Sequence, residues 1–302
     1  MPNYPALYLA TMTSPKGRST MLALLNRLPK YNNDIPIDWT KITSSFVLEL
    51  LANMETDGLS IATLNMALSG IKGVCHAAWS ERGLSDDAYA RIKDIKQRKQ
   101  TKLPAGRAIT HLEVDGLFDA CHRDRNRTKG VRDALILAFG LYVGLRRSEI
   151  VAIKAKHIDL ENMTIQLIGK GNKEEILPLA DVIKPMMLEW LALRNDAVIT
   201  HKLTGQHLFG RITKSGRIVN LEGITDSQVR EILRNLTLES GVDVDNLPTP
   251  HDMRRTRATT LLDAGVHPRI AQKMMRHANV ETTMRYDRGN IDDALRDAVN
   301  MN

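Results

Sequence analysis

Six side chains between positions 146 and 286 have types suited to chemistry on a phosphate: Arg146, Lys170, His251, Arg254, His277 and Tyr286, with Glu149 close behind the first. Arginine forks can neutralise the non-bridging oxygens of a phosphate as charge develops, the part a divalent metal plays elsewhere. No acidic cluster of metal-ligand spacing accompanies them. The expected chemistry is therefore phosphoryl transfer with no metal and no cofactor. A tyrosine hydroxyl, with an ordinary pKa of about 10, needs a base or cations beside it before it attacks. Once it does, a covalent intermediate stores the energy of the broken bond.

Each group has a local context. In "GLRRSEI", Arg146 opens a helix and Glu149 lies one turn on along the same face, so the carboxylate can hold the guanidinium; an ordinary surface ion pair accounts for the spacing equally well. Lys170 and Lys173 sit in "GKGNK", residues 169–173, where a lysine is either solvated or a mobile point charge able to reach a DNA groove. In "TPHDMRRTRATTLLDAG", Pro250 starts a helix and His251 and Arg254, three apart, share a face, setting a titratable imidazole beside an anion clamp. His277 closes the helix "PRIAQKMMRH", where the dipole favours a cation, and Tyr286 follows on another short helix.

The elements that must position these groups fall into two parts. The first hundred residues read as all-helical: "SSFVLELLANMETDG", "SIATLNMALSGIKGVCHAAWSERG" and "SDDAYARIKDIK" repeat apolar residues at helical spacing, with Ser60 as an N-cap and Gly83 as a stop. Residues 91–107 then set seven basic side chains against the single acid Asp94 and end in Pro104 and Gly106. That composition marks a linker, either solvated or running along a DNA backbone. The domain plan is residues 1–97, a linker 98–106, and residues 107–302.

The second part begins on a capping box, Thr110 with Glu113. A helix over 131–143 stops at Gly144, and "RSEIVAIKAK" makes the next. "MTIQLI" and "EEILPL" flank the 169–173 turn as a β-hairpin. From Asp181 helices are expected almost to the end. The fold class is mainly α with a small antiparallel β-sheet.

Composition bounds the function. With 302 residues, 43% hydrophobic and 25% charged, the chain should fold with a real core. A net charge of +7 is compatible with a polyanionic partner. Cys75 and Cys121 lie far apart on apolar helical positions, as reduced core residues of a cytoplasmic protein do. The start lacks the pattern of a signal peptide, and the longest apolar run, from Ala134 to Leu145, is too short to cross a bilayer.

The ordered set GLRxSE, GKGNK, HxxR, and a histidine nine residues before a tyrosine resembles the tyrosine recombinase family of phage-integrase and Xer-like enzymes. The likeness covers the chain from about Ala105, and the N-terminal helices resemble that family's DNA-binding core-binding domain. It implies that Arg146 and Arg254 grip the scissile phosphate, that Lys170 rather than Lys173 protonates the leaving 5′ oxygen, and that His251 acts as general acid and base. It further implies that His277 hydrogen-bonds the phosphate, that Glu149 organises the site from behind, and that Tyr286 is the nucleophile, forming a 3′-phosphotyrosine. Double-stranded DNA carrying a recombination site is the implied partner, bound by a homo-tetramer on two duplexes that is monomer or dimer off DNA. Accessory directionality proteins and a cytoplasmic place on the nucleoid are implied with it.

The tail 290–302, with Ile291, Leu295 and Val299 at helical spacing, is too short a helix to stand alone, and by the same resemblance docks on a neighbouring subunit. Two departures stand out. The family often has glycine where this chain has Arg276, and histidine where it has Arg255. The competing expectations are a type IB topoisomerase, with the same residue set, and a non-enzymatic DNA-binding regulator.

Overall fold

The computed structural model describes residues 2–99, 106–168, 174–241 and 246–276. The chain divides into two compact units, Met1–Pro104 and Ala105–Asn302.

Among its described residues the regular elements of the first unit are all helical: α1 (Tyr4–Ala10), α2 (Pro15–Arg27), α3 (Ser44–Thr56), α4 (Ile61–Ser80) and α5 (Asp86–Asp94), with a 3-10 turn at Leu28–Tyr31. Its helices start where the sequence places caps. The side chains of Ser14, Thr43, Ser60 and Ser85 each accept from a backbone N–H in the first turn, satisfying a donor the helix leaves open. Around α4, Leu64, Leu68, Ile71, Val74 and Cys75 are buried against Leu28, Val47 and Leu50. Cys75 is a free thiol that burial pushes up to about 12. The stop after α4 differs by one residue from expectation, since Arg82 rather than Gly83 takes the left-handed conformation.

The second unit opens on α6 (His111–Arg123), whose Thr110–Glu113 capping box is formed in full. Next comes α7 (Arg127–Ala138), which runs on as a π turn over Phe139–Val143 to Gly144 at φ 74°. The expected helix over 131–143 thus starts earlier and changes pitch before its end. A Cβ on Gly144 would also meet the Met275 side chain at 2.9 Å, so both backbone and space call for glycine there. Helix α8 covers only Arg147–Ala152, shorter than "RSEIVAIKAK" suggests, because Ile153 turns extended to pack its buried side chain.

The sheet has three strands, β1 (Ile158–Asp159), β2 (Thr164–Ile168) and β3 (Glu174–Pro178), antiparallel in that order. In the hairpin Ile165 pairs with Leu177 and Ile168 with Glu174, and Ile165 and Leu167 face the core. β1 is two residues long and carries no pattern of its own. The 169–173 turn lies outside the described residues.

Helix α9 (Ile183–His201) follows, and here the expectation of near-continuous helix fails. Residues 202–224 are irregular, with isolated antiparallel bridges Lys154↔His207 and Ile212↔Ile218. Buried Trp190 donates Nε1–H to the Leu208 carbonyl at 3.0 Å, satisfying backbone that no regular element pairs. Helices α10 (Asp226–Ser240), α11 (Pro250–Asp263) and α12 (Pro268–Met275) complete the described part. Phe139, Leu145, Ile150, Trp190, Phe209 and Met253 share one core, while Ala258, Leu261, Ala271 and Met275 form a small one that seats α12 on α11. No helix among the described residues is long and apolar enough to cross a membrane.

Candidate active site

Arg146 stands at the N-cap of α8, just after the left-handed turn at Gly144. The Glu149 carboxylate reaches back over the first helical turn. It accepts from the Arg146 backbone N–H at 2.6 Å and from Arg146 Nη1 at 2.8 Å. The same carboxylate thus satisfies an open helix donor and aims a guanidinium. Arg146 keeps 43% of its side chain exposed against 15% for Glu149, so the cation faces the open side and the anion stands behind it. Burial pushes the Glu149 carboxyl up, but the Arg146 N–H, the Arg276 cation and the Arg146 guanidinium outweigh it and hold the group below its ordinary range.

Arg254 enters from α11 and is only 2% exposed. Its Nη1 donates to the Gly144 carbonyl and its Nη2 to the Met275 carbonyl. Arg146 Nη2 donates to the next carbonyl along, Arg276 O, at 2.8 Å. Arg254 is thereby fixed to the turns that end both the α7 π segment and α12, and Arg146 to the second of these. Orientation is set before any ligand arrives, which is what selective stabilisation of developing charge requires.

His251 lies in the first turn of α11 and is exposed. Partial burial, then the cations of Arg255 and Arg254, lower its pKa; Asp252 opposes them and Arg146 adds to them. That direction favours the neutral ring, the form able to accept a proton. His251 and Arg254, three residues apart on α11, share a face of that helix.

The other flank of α11 holds the start of the unit. Asp252 Oδ1 accepts from Arg107 N–H at 3.1 Å, the Thr256 hydroxyl from Ile109 N–H at 2.8 Å, and Arg255 donates to the Gly106 carbonyl. Gly106 sits at φ 107°, and a Cβ there would lie 2.3 Å from Asp252 Oδ1. The sequence reading did not single out Asp252 or Thr256. The available signal was Thr249 with Asp252 three residues on, whose carboxylate accepts from Thr249 N–H at 2.8 Å.

Of the seven expected site residues, the structure brings together Arg146, Glu149, His251 and Arg254. Lys170, His277 and Tyr286 lie outside the described residues, as do Lys173 and the 290–302 tail. The described ends beside two of these gaps meet at the site: Arg276, which precedes His277, has Nε 3.7 Å from Glu175 Oε2 on β3, the strand leaving the 169–173 turn. Among the described residues no three His, Cys, Asp or Glu side chains are grouped to hold a metal. A separate cleft of about 760 Å³, lined by Asp124, Arg127, Arg132, Asp133, Arg211 and Glu231 among others, lies at the far end of α7 and shares no residue with this site.

Comparison with known proteins adds an independent line. Residues 107–291 match the phage integrase family. Among similar sequences, the tyrosine recombinase XerD of Oceanobacillus iheyensis is 30% identical over 255 residues, 84% of this chain and 80% of that one. The tyrosine recombinase XerA of Pyrococcus furiosus is 28% identical, over 82% of this chain and 76% of its own. Among solved structures, the XerH site-specific recombinase in a post-cleavage complex with a palindromic difH substrate aligns at TM-score 0.71 and 20% identity, covering 94% of this chain and 79% of that one. A lambda integrase tetramer on a Holliday junction aligns at TM-score 0.66 and 16% identity, over 94% and 74%. At those identities the structural likeness speaks for the fold.

Proposed function

This chain belongs to the phage integrase family and is a tyrosine-type site-specific recombinase; from that premise we propose that Tyr286 is its nucleophile and that Arg146, Lys170, His251, Arg254 and His277 surround the scissile phosphate. The observation carrying this reading is the pair of pre-fixed arginines, with His251 one turn before Arg254 on α11.

The steps follow from those groups. Arg146 and Arg254 fork the non-bridging oxygens of one DNA phosphodiester, and their contacts strengthen as negative charge builds at phosphorus. The Tyr286 hydroxyl loses its proton to His251 and its oxygen bonds to phosphorus as the 5′ oxygen leaves. Lys170 gives that oxygen its proton, and His277 hydrogen-bonds the phosphate. The product is a 3′-phosphotyrosine and a free 5′ hydroxyl. Attack by the 5′ hydroxyl of the exchanged strand reverses the chemistry and returns the tyrosine. Glu149 keeps Arg146 on its line of approach. The bond energy is kept in the ester, so no cofactor is required.

The partner is a duplex carrying the recombination site. Residues 1–97 act as the core-binding domain and the basic residues 98–106 as the DNA-tracking linker. Exchange takes four protomers on two duplexes, with monomer or dimer off DNA, accessory proteins setting direction, and the nucleoid in the cytoplasm as the place of action. The 290–302 segment joins neighbouring subunits.

A nicked suicide duplex tests the reading. Wild type should accumulate a covalent adduct, and Tyr286→Phe should form none while binding the duplex with unchanged affinity. Arg146→Ala and Arg254→Ala should each slow cleavage by a factor on the order of 100 with far less effect on binding. An adduct that persists in Tyr286→Phe would overturn the assignment. Wild type that binds and never traps would leave a DNA-binding regulator, and relaxation of supercoiled plasmid without exchange between paired sites would leave a topoisomerase.

A further inference from the structure

We propose that Arg276 is a positioning residue for strand cleavage, tying Glu149 and the strand that leaves the lysine-bearing turn into one charge network that leaves Arg146 available to the phosphate. The inference rests on the reading above.

Arg276 ends α12 in the left-handed conformation, φ 50° and ψ 48°, where glycine is the unstrained choice. The chain nevertheless places there its largest cation. The Arg276 side chain is 9% exposed, inserted between two carboxylates. Nη2 is bonded to Glu149 Oε2, and Nε stands 3.7 Å from Glu175 Oε2, with no hydrogen-bond partner of its own. The backbone carbonyl of the same residue accepts from Arg146 Nη2 at 2.8 Å. The result is a closed ring: Glu149 holds Arg146 by backbone and side chain, Arg276 holds Glu149 by its guanidinium, and Arg276 holds Arg146 by its carbonyl.

That ring solves a charge problem. Glu149 must be ionised to orient Arg146, yet a half-buried carboxylate balanced by Arg146 alone would claim the charge meant for the phosphate. Arg276, 9% exposed against 43% for Arg146, supplies a second and more buried cation to Glu149, so orientation and charge come from different arginines. The contact toward Glu175 extends the same network to β3, which begins one residue after the turn carrying Lys170.

Arg276→Gly isolates the side chain, since it keeps the carbonyl that Arg146 uses and relaxes the backbone. On the nicked suicide duplex, affinity should stay within about twofold while single-turnover cleavage at saturating duplex falls roughly tenfold, the scale of a small misplacement of reacting groups. The melting temperature should hold or rise. Arg276→Lys should recover part of the rate, because an ammonium reaches Glu149 without spanning both carboxylates. The charges facing Glu149 are Arg146 from its own helix start and Arg276 from α12, so losing one raises the carboxyl and moves the acid limb of the cleavage profile to higher pH. Cleavage by Arg276→Gly within twofold of wild type at saturating duplex overturns the proposal. So does slower cleavage with a lowered melting temperature and an unmoved acid limb. Tyr286→Phe run alongside separates the two readings: a persisting adduct there removes the nucleophile assignment, whereas its absence together with full activity in Arg276→Gly removes only the role of Arg276.

Discussion

Among the described residues, the buried side chains of Met1–Pro104 carry no charge, whereas Ala105–Asn302 buries Arg132, Asp133, Arg194, Asp252, Arg254 and Arg255 beside its apolar core. In the first unit, shape follows from apolar residues at helical spacing and from a side-chain cap at each helix start. In the second, the buried charges hold the parts that periodicity does not define. Arg194 donates to the His207 carbonyl in the irregular stretch, and Arg132 binds Asp133 at 2.8 Å and the Gly210 carbonyl at 3.3 Å. Arg254 ties two turns together at the site. Burying a charge costs several kcal/mol unless it is paired, so a fold that keeps so many is using them to fix geometry.

The sharpest way to break this contrast is to remove one buried charge and ask which unit loosens. Asp252→Ala strips partners from Thr249, Arg107 and the neighbouring Arg255. It should cost about 4 kcal/mol, the range for breaking a buried ionic contact. Hydrogen exchange read peptide by peptide should lose protection across α11 and residues 106–109 while α3 and α4 are unchanged. An equal loss in both units would mean that they do not unfold separately. The converse change is Ile71→Ala in α4, where the side chain is fully buried. It should cost about 3 kcal/mol of cavity and transfer energy, loosen the first unit, and leave α8 and α11 protected.

The same contrast explains what could be read in advance. The first unit's helices and the cap at Ser60, like the second unit's Thr110–Glu113 capping box, were legible because capping and apolar spacing are local. The hairpin strands were legible from β-prone runs around glycines. The site residues Arg146, Glu149, His251 and Arg254 were legible only as an ordered set, since each alone reads as a surface charge. Three features were not legible. The π turn at Phe139–Val143 depends on α11 packing against it, with Met253 against Gly140. The irregular 202–224 stretch is held by bonds from Trp190 and Arg194, residues that look like ordinary helix positions. Arg276 was visible only as a departure from glycine, and its role depends on two carboxylates distant in sequence, Glu149 and Glu175.

The smallest expected effect lies in the titration of His251, where the response to removing a neighbouring cation separates burial from charge. In an apolar setting burial alone would disfavour the imidazolium. Here burial acts first and the cations Arg255, Arg254 and Arg146 act with it, while Asp252 opposes them. The folded pKa therefore lies below the unfolded value of about 6.5. The folded state binds this proton less readily than the unfolded chain, so the stability linked to the neutral ring is present above about 6.5 and is lost as pH falls through the folded value. An NMR titration of the His251 ring in the free protein should give a midpoint below 6.5, and Arg255→Met should raise it by removing the cation with the largest effect. A midpoint at or above 6.5 would mean that Asp252 prevails over the arginines. The further such a midpoint lay above neutral pH, the more the ring would enter the reaction already protonated and the less it could serve as general base.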